Sequence, residues 1–146
     1  MKVIIQRVSQ AKVVVNNSTV GEISKGFLLY VCFVKGDTEK QISDSIKKIK
    51  NLRIFEDENG KMNNNIVQVS GSILSISQFT LSWNGSKGNR PSFEQSMPPR
   101  EAQIMYNKFN QDLEHSDINL QTGIFGSDMR VHLINDGPVT INLDFN

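Results

Sequence analysis

From Met129 to Phe145 apolar and polar residues alternate with a period of two. Met129, Val131 and Leu133 alternate with Arg130 and His132; Val139, Ile141, Leu143 and Phe145 alternate with Thr140, Asn142 and Asp144. Successive side chains of a strand point to opposite faces, so this pattern requires a sheet with one buried face. The rest of the chain must supply partner strands and a layer that covers that face. Asp136-Gly137-Pro138 interrupts the alternation, and these residue types signal a turn between two strands.

Partner strands are easy to find. Val3 to Val8 reads as a strand. Val13-Val14-Val15, Asn16-Asn17 and Thr19 to Ile23 read as a hairpin, because Asn tolerates the positive φ of a tight turn. Phe27 to Val34 is apolar at every position and too short for a typical helix, which suggests a central strand. Ser72 to Leu81 reads as another strand.

Two helices supply the covering layer. Thr38 and Gln41 form a capping box, and Ile42, Ile46, Ile49 and Leu52 follow at helical spacing. Pro98-Pro99 opens a second helix whose buried face carries Ala102, Met105, Tyr106, Phe109 and Leu113. Asp57 to Gly60 is a turn, and residues 82–97 form a long polar loop of the kind that is usually functional or mobile. The expected fold is a single α+β domain spanning 1–146, with a mainly antiparallel sheet and two principal helices.

A chain of 146 residues is one domain by length and large enough for a real core. The formal net charge is +1, so no global field draws the protein to a polyanion, although a local basic patch can act where the total is neutral. Cys32 is the one cysteine, in an apolar run, where it serves as a small buried hydrophobe. It cannot form an internal disulfide, so nothing points to an oxidising compartment. No apolar stretch approaches the roughly 20 residues of a membrane helix, and the N-terminus is too briefly apolar for a signal peptide. The expected location is the cytoplasm.

The usual engines of catalysis are missing. No Gly-x-Ser-x-Gly elbow, phosphate loop or Cys/His zinc spacing occurs, and nothing calls for a metal or cofactor. His115 falls near a helix end and His132 on a strand, each in a setting that suits a surface role. Glu56-Asp57-Glu58 sits in a turn and reads as solvated. Two polar segments remain: Ser77-Gln78-Phe79-Thr80-Leu81 and Asn135-Asp136-Gly137-Pro138-Val139-Thr140. A glutamine amide, hydroxyls and backbone N–H groups at a strand end can orient a substrate or hold a developing oxyanion. They can equally finish a strand and lead into a loop.

At this point the chain resembles a known family, the D-aminoacyl-tRNA deacylases, also called D-tyrosyl-tRNA deacylases. The likeness runs through Ile5-Gln6-Arg7-Val8-Ser9-Gln10-Ala11 and Leu52 to Asn63, then Ser77 to Leu81 and Lys87-Gly88 with Arg90-Pro91-Ser92-Phe93. It continues through Thr122-Gly123-x-Phe125-Gly126-x-Asp128-Met129 to Asn135 to Thr140. Any one of these motifs is weak; all of them in order are specific. After Leu81 the chain departs from the family pattern: Ser82-Trp83-Asn84-Gly85 stand where a small or aromatic residue and then an acidic one are expected.

The resemblance implies a homodimeric editing enzyme whose partner is aminoacyl-tRNA. It would hydrolyse the ester joining a D-amino acid to the terminal ribose, and also remove glycine from alanine tRNA. It implies that Gly137 and Pro138, joined by a cis peptide, enter the other subunit's site and meet Ser77, Gln78 and Phe79. Phe125 and Met129 would wall that pocket, Arg7 would brace the Gly-Pro segment, and Lys87 and Arg90 would contact tRNA phosphates. With no side-chain base in these motifs, the ribose 2′-hydroxyl of the substrate is the preferred proton handler. The alternative makes Thr80 a nucleophile, which ordinarily needs an adjacent base. A non-catalytic RNA-binding module is the reading from another class.

Overall fold

The computed structural model describes residues 1–86 and 88–146. Lys87, expected to contact phosphate, lies outside the described residues. The chain runs β1 (Lys2–Val15), β2 (Ser18–Ile23), β3 (Gly26–Cys32), α1 (Glu39–Asn51), β4 (Phe55–Glu56), β5 (Met62–Asn64), β6 (Ser72–Ser77), α2 (Pro99–Glu114), β7 (Asn119–Thr122) and β8 (Arg130–Asp144).

β1 is the spine. The strand expected at Val3 to Val8 and the first arm of the expected hairpin are one continuous element. Its N-terminal half pairs antiparallel with β3, from Lys2 opposite Cys32 to Val8 opposite Gly26. Its C-terminal half pairs with β2, from Ala11 opposite Ile23 to Val15 opposite Ser18. The intervening turn places Asn16 and Asn17 at φ 49° and 64°, the conformation that favours Asn there. β8 runs antiparallel along β1, from Lys2 opposite Asp144 to Val14 opposite Arg130.

The sheet is mainly antiparallel, as expected, through the pairings of β1 with β2, β3 and β8, but it is mixed rather than purely antiparallel. β3 pairs parallel with β6, and β6 pairs parallel with β7. Parallel neighbours cannot be joined by a tight hairpin and need a crossover. The segment carrying α1, β4 and β5 makes the first crossover, and α2 makes the second. Propensity reports which residues are extended, not which strand lies beside which. The short strand β7 was not anticipated.

Both faces of the central strands are covered. Phe27, Leu29 and Val31 of β3 and Ile73 of β6 pack with Ile42 and Ile49 of α1 and with Tyr106, Phe109 and Leu113 of α2. Leu28 of β3 and Leu74 and Ile76 of β6 point the other way, into a second cluster with Val8, Ala11, Val13 and Ile23. Met129, Val131 and Leu133 pack against that second cluster. The capping box of α1 is present, with the Thr38 N–H donating to Gln41 Oε1 at 2.9 Å.

Two further expectations change at the polar segments. Asp136-Gly137-Pro138 does not turn the chain between two strands. Gln6 pairs with Thr140 and Val8 with Asn135, so Asp136 to Val139 stand opposite Arg7 alone. This is an enlarged bulge within one strand, and both halves of β8 stay paired to β1. The expected strand from Ser72 to Leu81 stops at Ser77, and Phe79 to Ser82 curl into a 3-10 turn. The alternation assumed for Gln78, Phe79 and Thr80 therefore does not apply.

Candidate active site

β6 ends where its partner ends. Val31 is the last β3 residue to pair with it, opposite Ser77, and its carbonyl accepts the Gln78 N–H at 2.8 Å. The chain then leaves the sheet and tightens: Leu81 N–H donates to Gln78 O at 3.3 Å, and Trp83 N–H to Thr80 O at 3.2 Å. Cys32 sits beneath, its sulfur 3.5 Å from Phe79 O. These contacts fix the turn on the end of β3.

The turn borders a cleft of about 620 Å³. Ser77, Gln78 and Phe79 form one wall. Phe125 and Met129 lie in the segment between β7 and β8 that forms another, and the start of α2 contributes Pro99, Ala102 and Tyr106. The lining is mostly apolar with a few polar groups, the usual make-up of a small-molecule site. Of the expected residues, the cleft thus brings together Ser77, Gln78, Phe79, Phe125 and Met129. Thr80 is exposed and does not line it, although its hydroxyl accepts from Gln78 Nε2 at 2.7 Å.

The walls are held by specific contacts. The Phe79 ring meets Phe93 edge-to-face at 5.0 Å. The Tyr106 hydroxyl donates to Ser75 O at 2.8 Å and accepts from Ser75 Oγ at 3.2 Å. Burial raises the Tyr106 pKa, so it is a neutral donor at ordinary pH. Its ring lies 5.9 Å from that of Phe125. Gly123 lets Met129 close in, because a Cβ there would meet Met129 Sδ at 2.5 Å. Phe93 and Tyr106 were not singled out from the sequence. Tyr106 carried only the signal of a helix core position, and Phe93 lay inside a matched motif.

Among the described residues the cleft is lined by one carboxylate, that of the exposed Asp128, and by no histidine. Among the described residues no group of three or more His, Cys, Asp or Glu could hold a metal ion. The chemistry on offer is amide and backbone hydrogen bonding beside an apolar surface.

The second polar segment is built on Arg7. This side chain is buried, donating from Nη1 to Ile54 O at 2.6 Å and from Nε to Asp136 O at 3.0 Å. Asn135 closes the base of the bulge: its Oδ1 accepts Val139 N–H at 3.1 Å and its Nδ2 donates to Thr140 Oγ1 at 3.0 Å. Asn135 stands inside the matched motif, but its clamp joins residues whose contact is visible only in three dimensions. Gly137-Pro138 is a cis peptide. Asp136, Gly137 and Pro138 are exposed, and none of them lines the cleft of their own chain. Arg90 is exposed on the loop after the turn, also outside the cleft.

The family described as D-Tyr-tRNA(Tyr) deacylase matches residues 4–144. A D-aminoacyl-tRNA deacylase of Lactobacillus gasseri is 51% identical over 144 residues, covering 99% of each chain. One from Staphylococcus haemolyticus is 56% identical over 141 residues, 97% of this chain and 93% of that one. A solved structure described as a c-Myc DNA unwinding element binding protein superposes with a TM-score of 0.95 at 38% identity, over 100% of this chain and 99% of that one. A probable eukaryotic D-amino acid tRNA deacylase shares the fold, with a TM-score of 0.84 at 17% identity over 99% and 98% of the two chains. The matching family and its named relatives place the chain among the hydrolases. The chain belongs to the D-Tyr-tRNA(Tyr) deacylase family.

Proposed function

We propose that this protein hydrolyses the ester between a D-amino acid and the terminal ribose of tRNA in the cytoplasm, acting as a homodimer. The observation that carries the reading is the Gln78–Ser82 turn. It presents an amide and backbone groups to an apolar cleft that holds no histidine. An aminoacyl ester is already reactive, so positioning and oxyanion stabilisation supply the remaining acceleration. Gln78 and the backbone at Phe79 hold the carbonyl oxygen, and Phe125 and Met129 wall the site. The substrate's own 2′-hydroxyl handles the proton. Thr80 as a nucleophile ranks second, because its hydroxyl is bonded to an amide rather than to a base.

In the dimer, Gly137 and Pro138 of one subunit meet Ser77, Gln78 and Phe79 of its partner. Their exposure, outside their own cleft, leaves them available to a second copy. Selection for the D form is by exclusion: their carbonyls leave no room for an L side chain. Glycine has no side chain to exclude, so glycine on alanine tRNA is also a substrate. Lys87 and Arg90 contact phosphates.

The test is ester loss from D-tyrosyl-tRNA and L-tyrosyl-tRNA. Rapid release of the D form with the L form intact is the expected result; equal rates would overturn the selectivity. Replacing the terminal 2′-hydroxyl by hydrogen should abolish turnover, and an undiminished rate would exclude the RNA-assisted step. Nucleic-acid binding without turnover is a second reading, favoured by the 38% identical structure described as a DNA-element binding protein. Retention of tRNA with no ester loss would select it.

A further inference from the structure

We propose that Trp83 is a stacking platform for the single-stranded 3′ end of tRNA, taking a base on the 5′ side of the terminal adenosine. The inference rests on the deacylase reading, since an ester held in the cleft determines where the RNA strand must leave it.

Trp83 is the one tryptophan of the chain. It immediately follows the Phe79–Ser82 turn, and its N–H donates to Thr80 O at 3.2 Å. Its backbone is thus tied to the element that borders the cleft. Ser82 beside it is 4% exposed, whereas Trp83 is 37% exposed and Phe79, on the cleft wall, 57%. Large aromatic rings left in water beside a site mark a surface that something else covers.

The surroundings decide what covers it. An apolar protein partner would be expected to meet further aliphatic side chains, and the loop offers almost none. After Trp83 come Asn84, Gly85 and Ser86, then Asn89, Arg90, Pro91 and Ser92 before Phe93. The Asn84 side chain accepts from both the N–H and the hydroxyl of Ser86, at 3.0 and 2.6 Å, so it is occupied within the loop. Exposed rings interleaved with polar residues and a guanidinium suit single-stranded nucleic acid. Every base has a π-face for the indole, and Arg90 supplies a charge for the backbone. The stretch Ser82 to Gly85, where the family pattern leads to a small or aromatic residue and then an acidic one, thus presents an aromatic ring with no carboxylate beside it to repel a phosphate backbone.

A sole tryptophan is its own reporter. Uncharged tRNA, and an RNA oligonucleotide with the same 3′-terminal sequence, should quench the intrinsic emission in step with binding measured by anisotropy. Trp83→Ala should weaken tRNA binding about tenfold, with Trp83→Phe restoring most of it. In turnover, the Trp83→Ala rise in KM should be at least about fivefold larger on D-tyrosyl-tRNA than on a D-tyrosyl ester of adenosine alone. Bound tRNA with unquenched emission would overturn the proposal. So would equal KM increases on the two esters, which would make Trp83 a support for the turn. Emission that responds to protein concentration and not to RNA would assign the ring to an interface between copies instead. Quenching by tRNA in a protein that hydrolyses neither ester would sustain the platform and sink the deacylase reading. Hydrolysis without quenching would do the reverse.

Discussion

Gln78 donates from Nε2 to the Thr80 hydroxyl at 2.7 Å, joining two side chains of one tight turn. An amide is not a base in either orientation, so this contact orients the hydroxyl without activating it. Thr80→Val should keep deacylation within about tenfold of the wild type, the cost of one lost hydrogen bond. Gln78→Ala should lower kcat by about 10²–10³, the usual cost of an oxyanion donor. Single-turnover kinetics with D-tyrosyl-tRNA check both. Near-complete loss in a folded Thr80→Val protein would restore the nucleophile.

Arg7 joins Ile54 O to Asp136 O across the bulge. Its guanidinium is also 3.4 Å from the half-exposed Asp136 carboxylate. The two carbonyl contacts are sheltered and the carboxylate is in water, so they differ in weight. Arg7→Ala strands the buried Ile54 carbonyl and frees the part-buried one of Asp136, and should cost about 3 kcal/mol, whereas Asp136→Asn should cost less than about 1 kcal/mol. Arg7→Lys should behave more like Ala, because one ammonium cannot span both carbonyls. Urea unfolding of the three variants checks the order.

What the sequence disclosed followed the range of each signal. α1 was legible because its capping box, Thr38 with Gln41, and its apolar stripe are local. β8 was legible from its alternation. The order of β6 and β7 was not, because parallel neighbours are chosen by crossovers that leave no local mark. Asp-Gly-Pro signalled a departure from extended chain, yet the same residues serve a turn or a bulge. Only the pairing of both flanks to β1 decides between them. At the site, Gln78 stood out as polar at a strand end, whereas Tyr106 was indistinguishable from any helix core residue. Its role depends on Ser75, 31 positions away.

Gly137 sits at φ +132°, where a side chain is strained whatever the space around it. A Cβ would also lie 2.7 Å from Val139 Cγ2, 2.9 Å from Val139 N and 3.1 Å from Arg7 Nη2. Gly137→Ala should destabilise the protein by about 1–3 kcal/mol, the range for a misplaced backbone conformation. In the proposed dimer the distorted segment enters the partner's cleft, so deacylation should fall by more than the loss of folded protein explains. Activity per folded dimer, with the folded fraction taken from circular dichroism, separates the two losses.

Burial pushes the Cys32 thiol up from 9.0 to about 11, opposed in part by the nearby N-terminal ammonium. The folded value lies above the unfolded one, so the neutral thiol's contribution to stability is fully present below pH 9. It is lost as pH rises through about 11, because the unfolded chain releases the proton first. The urea midpoint should therefore decline across that window. Tyr106 and Tyr30, also raised by burial, should extend the decline to higher pH. Cys32→Ala should flatten the first part of the curve and leave the later part in place. Urea midpoints taken from pH 8 upward, compared with the wild type, test this. Coincident curves would mean that ionisation at Cys32 does not limit alkaline stability.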